Sequence, residues 1–207
     1  MLARRVQQHG LSLIELMITM AIGLMMMAAL SAVFANTIGV NSRSLQLSQL
    51  QEESTVVMEL MASDLRRAGF RANAHLVVVD PDNASTDFND SVVVSHHPDE
   101  APQSCVLFRY DANQNGSFDG SAELFGYRLR SGQIQRRQDA ADCGSAGWQA
   151  LTSADMVAVE SLTFTLTERS SGTLLEQIIT LALTTANPTD DTLKRQLAAE
   201  VVVRNAF

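Results

Sequence analysis

Between Leu16 and Ala35 lie twenty consecutive residues without a charge, LMITMAIGLMMMAALSAVFA. No other segment constrains the fold as severely. At about 1.5 Å per helical residue the run spans roughly 30 Å, the hydrocarbon thickness of a bilayer. A helix that is apolar all round belongs in lipid or in a core. One residue before it stands a carboxylate, Glu15. An ionised group costs about 2.5–3.5 kcal/mol at the centre of a membrane helix and less toward its end. Something must offset that cost.

The ten residues before the run, MLARRVQQHG, are short, basic and polar. No proline occurs from Leu11 until Pro81, so nothing interrupts one helix to about Gly69. Past the apolar run the pattern becomes amphipathic: Leu47, Leu50, Val57, Met61, Leu65 and Ala68 recur at helical steps, with Ser54 filling the gap. Gln51, Glu52, Glu59 and Arg66 fall on the opposite face. Gly69 after Arg66 and Arg67 is a stop signal, with cations at the negative end of the helix dipole. Strands are expected over Ser91–His97, Cys105–Tyr110, Glu123–Arg130, Gln133–Arg137, Val157–Thr167, Glu176–Thr185 and Gln196–Arg204. Ser131-Gly132 reads as a hairpin turn, and Asp80–Asp90 and Ala186–Thr192 as polar loops. The organisation that follows is residues 1–10 as a leader, 11–35 as a membrane helix, 36–70 as its amphipathic continuation and 71–207 as a β-rich head. The fold class is α+β, an antiparallel sheet laid on the amphipathic half of the helix.

Charge narrows the partners. The chain carries a net −8, and without residues 1–10 the balance is 13 basic against 23 acidic, or −10. Phosphate binding needs clustered Lys and Arg, so no nucleic-acid partner is expected. Basic residues before the apolar run place the acidic domain across the membrane. In such an exported domain Cys105 and Cys143 point to a disulfide; two unpaired buried thiols are the alternative.

Two readings account for Glu15. Ser12-x-x-Glu15 is a capping box, in which each side chain satisfies a free amide at a helix start. The other requires a cut after Gly10. The new amine at Leu11, cationic below a pKa of about 8, would then meet the Glu15 of a neighbouring copy inside the apolar layer. That pairing would set the axial register of packed helices.

A short basic leader ending in Gly10, followed by LSLIELMITMAIGLMMMAALSAVF, is similar to the class III signal and first helix of type IV pilins and type II secretion pseudopilins. The resemblance implies that a prepilin peptidase cuts between Gly10 and Leu11 and methylates Leu11, and that Glu15 is the assembly residue. Leu11 stands where phenylalanine is commonest in that superfamily, and no proline interrupts the membrane helix midway as in many major pilins. Leu50–Phe70, LQEESTVVMELMASDLRRAGF, and the closing EVVVRNAF resemble the PilW family of minor pilins. That implies a non-catalytic subunit that helps prime pilus assembly and is incorporated into the fibre. Its partners would be other minor pilins, the major pilin and the inner-membrane assembly platform. It would sit in the inner membrane with its head in the periplasm before assembly, and at the cell surface after it. A J-type pseudopilin of type II secretion is the alternative, and a membrane-tethered periplasmic enzyme a remote one.

YDANQNGSFDG sets Asp111, Asn113, Asn115 and Asp119 at positions 1, 3, 5 and 9 around Gly116, the opening of a calcium loop. Position 12 is Ala122, and Glu123 comes one residue late. A bound calcium ion and a plain pair of turns between strands both fit this pattern. Adjacent His96 and His97 would point to opposite faces of a strand, which disfavours a shared metal. Met25, Met26 and Met27 read as membrane filling, and Trp148 as core beside the disulfide. No nucleophile–histidine–acid set or phosphate loop is recognisable.

Overall fold

The computed structural model describes residues 10, 12–80, 86–171 and 174–203. It divides into two compact units, Met1–Leu45 and Gln46–Phe207. A single α-helix, α1 (Leu13–Leu65), contributes to both. The expected run to Gly69 overshoots: after Leu65 the chain makes successive turns, and Gly69 takes φ 74°, a conformation without steric cost for glycine. In the first unit every α1 residue from Leu13 to Leu45 is exposed. By length and composition α1 can cross a membrane.

In the second unit α1 turns one stripe inward. Leu50, Ser54, Val57, Met58, Met61, Ala62, Asp64 and Leu65 are buried, while Gln51, Glu52, Glu59 and Arg66 face solvent. Leu47, expected on the inner face, is 41% exposed. The stripe packs into one core with two antiparallel sheets, where the sequence suggested one.

The first sheet runs in the order β1 (Val92–Ser95), β2 (Cys105–Arg109), β3 (Leu124–Arg130), β4 (Gln133–Arg137), β5 (Trp148–Ala150). The second runs β6 (Ala158–Ser171), β7 (Leu174–Ala186), β8 (Lys194–Val203). A four-residue helix, α2 (Leu76–Val79), follows the end of α1. Period-two alternation sets the inner faces: Tyr127 and Leu129 on β3, Ile179, Leu181 and Leu183 on β7, Val201 and Val203 on β8 are buried. The β3–β4 hairpin turns at Ser131 and Gly132, with φ 51° and 72°, as the Ser-Gly pair predicts. β5 was not foreseen, being three residues long and directly after a turn. The expected end of the last strand at Arg204 lies outside the described residues.

Candidate functional site

The N-terminus of α1 comes first. Ser12 is the cap: its carbonyl accepts the first helical bond from the Leu16 amide at 3.1 Å, and its hydroxyl accepts from the Ile14 amide at 3.3 Å. Glu15 reaches back to accept from the Ser12 amide at 3.2 Å. The backward arm of the capping box is therefore formed, and its Ser arm falls on Ile14 rather than Glu15. Among the described residues this is the one hydrogen-bond partner of Glu15, which is exposed amid Leu13, Ile14, Leu16, Met17 and Ile18, each at least half exposed. Gly10 is also exposed; Leu11 and residues 1–9 lie outside the described residues.

The end of α1 holds a buried polar contact that sequence periodicity did not single out. Asp64 is 8% exposed, and Tyr127 at the centre of β3 donates its hydroxyl to it at 2.5 Å. Burial, then the hydrogen bond to Asp64 and its charge, push the Tyr127 pKa far above that of a free phenol. The available signal was an aspartate between Met61 and Leu65 on the apolar stripe. Ten residues earlier, the Ser54 hydroxyl donates to the Leu50 carbonyl of α1 at 2.6 Å and pairs with the Thr185 hydroxyl of β7 at 2.7 Å. One polar pair thus ties α1 to each sheet.

Cys105 and Cys143 are joined in a disulfide. It anchors the loop between β4 and β5, which Arg128 also clamps by donating to the Cys143 carbonyl at 2.7 Å and the Ser145 carbonyl at 2.9 Å. The same guanidinium lies 4.6 Å from the centre of the Trp148 ring, and Trp148 donates to the Asp142 carbonyl. Trp148 is half-buried at this loop rather than in the core. β3 also carries Gly126 against this ring, where a Cβ would sit 2.7 Å from the Val106 carbonyl oxygen and 3.3 Å from Trp148.

The loop at Asp111 is a third cluster. Asp111, 1% exposed, accepts from the amides of Ala72 (3.0 Å), Asn115 (3.1 Å) and Gly116 (2.8 Å). Burial raises its pKa, but the backbone donors, Ala72, Gly116, Gln114 and Asn115, outweigh burial and hold it below the ordinary value. Glu123 spends one oxygen on the Ala112 amide and the other on the Asp119 amide. The side-chain amides of Asn113 and Asn115 both donate to Asp119. Calcium takes six to eight oxygens. In this arrangement the carboxylates of Asp111 and Glu123 are committed to amides, so the loop closes on itself. Asn73 donates to the Gly116 carbonyl at 2.9 Å and docks the loop on the segment after α1.

No group of three or more His, Cys, Asp and Glu side chains among the described residues is arranged to hold a metal. His97 accepts from the Asp99 amide at 3.1 Å and has no histidine partner in that contact.

Comparison with known proteins fits these features. A family profile described as prepilin peptidase-dependent protein B matches residues 43–203, and the prokaryotic N-terminal methylation motif matches residues 5–31. An uncharacterized protein of Haemophilus influenzae is 30% identical over 112 residues, 43% of this chain and 45% of its own length. The prepilin peptidase-dependent protein B of Escherichia coli K12 is 22% identical over 160 residues, 75% of this chain and 76% of its own. The chain thus spans about half the length of the first relative and three quarters of the second. No solved structure matches at a significant level.

Proposed function

The chain belongs to the prepilin peptidase-dependent protein B family, and from that premise we propose that it is a minor pilin, a structural subunit that helps prime pilus assembly in the manner of the PilW family. Prepilin peptidase removes residues 1–10 and methylates Leu11. The apolar half of α1 holds the subunit in the inner membrane with its head in the periplasm. It then enters the fibre beside other minor pilins and the major pilin, drawn in by the assembly platform.

The observation that carries this reading is Glu15. Its carboxylate stands in the first turn of an apolar helix and, among the described residues, has a single local amide as partner. The Ser12 amide gives that carboxylate one hydrogen bond, about 1.5–3 kcal/mol for a charged acceptor, but no opposite charge. A terminal ammonium from an adjacent subunit, in a low-dielectric layer, is therefore the stronger partner. Exchanging the Ser12 amide for that ammonium offsets the burial of two charges and fixes the stagger between helices. Breaking such a pair by removing one member costs about 3–5 kcal/mol.

Two measurements test it. The N-terminal mass of the chain from cells with prepilin peptidase should correspond to methylated Leu11, and from cells without it to the retained leader. Glu15→Gln should leave cleavage intact and strongly reduce co-purification with other pilins. A variant that is cut and still co-purifies at the native level removes the role assigned to Glu15.

A further inference from the structure

The head carries an acidic cleft with an apolar floor, formed along the outer flank of α1 and the connection between β5 and β6. Glu52, Val56 and Leu60 stand at successive i, i+4 positions and so line one row of the helix surface. Val56 is 58% exposed and Leu60 38%. Met156, 48% exposed, overhangs the helix from the β5–β6 connection and closes a cleft of about 480 Å³ with Glu52, Glu53 and Val56. Asp155 and Glu53 continue the lining on the adjoining side.

Two independent features mark the cleft as a docking surface. Large apolar side chains, Val56, Leu60 and Met156, stand in the open there, beside the face of α1 from Leu50 to Leu65 that is buried in the core. The carboxylates of Glu52, Glu53 and Asp155 have no ion-pair partner among the described residues, and no cation lines the cleft. Like charges gathered around an apolar floor select the partner: it must bring cations to the rim and an apolar side chain to the centre. A second copy would bring the same carboxylates, and an anionic membrane surface would be repelled.

We propose that this cleft receives a cationic amphipathic helix of a different pilin-class subunit, with an apolar residue seated between Val56 and Met156 and Lys or Arg side chains paired with Glu52, Glu53 and Asp155. This rests on the minor-pilin reading and names the surface by which the head meets its neighbour. Contact through the head leaves the Glu15 end of α1 free for its own partner.

The test places the photo-crosslinking residue p-benzoylphenylalanine at position 56 of the full chain, in cells that assemble the fibre. Position 93 is the control; Val93 is similarly exposed at 54% but lies on β1. Irradiation should join position 56 to another pilin-class chain through a peptide with Lys or Arg within one turn of an apolar residue. Adding Glu52→Lys and Glu53→Lys should lower that yield about tenfold or more, since each tenfold is 1.4 kcal/mol and like-charge contacts cost at least that. Glu52 is exposed and Glu53 half-buried, and an unchanged unfolding midpoint verifies the fold. The proposal is overturned by a yield no higher than at position 93, by adducts to a second copy or to lipid, or by a yield indifferent to charge reversal. The N-terminal mass of the same samples separates the two ideas: methylated Leu11 without the adduct leaves the minor-pilin reading standing and removes the cleft.

Discussion

Removing one hydroxyl, by Tyr127→Phe, isolates the contact that fastens the end of α1 to the first sheet. Tyr127 is fully buried and donates at 2.5 Å to Asp64, which is 8% exposed. A hydrogen bond to a charged acceptor contributes about 1.5–3 kcal/mol net, and the phenylalanine ring fills nearly the same volume, so little cavity energy enters. For a domain of this size each kcal/mol moves the midpoint by about 2–4 °C. A loss near 2 kcal/mol therefore lowers it by about 4–8 °C. Thermal unfolding of the full chain in detergent, followed by near-ultraviolet circular dichroism, reads the shift. A cycle with Asp64→Ala and the double variant should give a coupling of about 1.5–3 kcal/mol. The pair also predicts an alkaline limb. Because the folded state raises the Tyr127 pKa, its contribution is complete below the unfolded value of about 10 and is lost as pH climbs above it. The loss is about 1.4 kcal/mol per pH unit, and Tyr127→Phe should abolish that component. A midpoint unchanged by Tyr127→Phe, with coupling near zero, would refute the reasoning.

The other contacts make separate claims. Asp111 is held below the ordinary carboxylate pKa, so its contribution is present above about pH 4 and lost as pH falls below; Asp111→Ala should flatten the acid side of the stability profile. We propose that the same loop is ordered by its amides, so that millimolar calcium leaves the midpoint in place; a rise of several degrees on titration would show that Asn113, Asn115 and Asp119 turn to ligate the ion. Gly126→Ala should cost about 1–3 kcal/mol, because its Cβ meets a backbone oxygen that cannot swing aside. Reducing Cys105–Cys143, which are separated by 38 residues, should cost about 4 kcal/mol in the chain-entropy model, read as a lower denaturant midpoint.

What the sequence made legible was local or periodic. The apolar run, the cap at Ser12, the inward stripe of α1, the Ser131-Gly132 turn and seven of the eight strands among the described residues are each written within a few neighbouring residues. Two features escaped for a different reason. Two sheets rather than one follow from where β5 ends and β6 begins, and no pattern inside either strand states which neighbour it will take. Asp64 looked like an ordinary polar interruption because its partner stands 63 residues away, and only the folded chain brings the phenol to it. Had Asp64 been apolar, periodicity would have placed it correctly and nothing would have been missed. A carboxylate among apolar neighbours is thus the informative departure: at Asp64, on the buried stripe, a tyrosine of the same chain answers it, and at Glu15, exposed on the apolar helix, its partner among the described residues is an amide. The same physical demand is met at the end of α1 by a buried phenol and at its start, among the described residues, by one backbone amide, so the first contact fastens the head internally and the second is where the proposed subunit contact has to act.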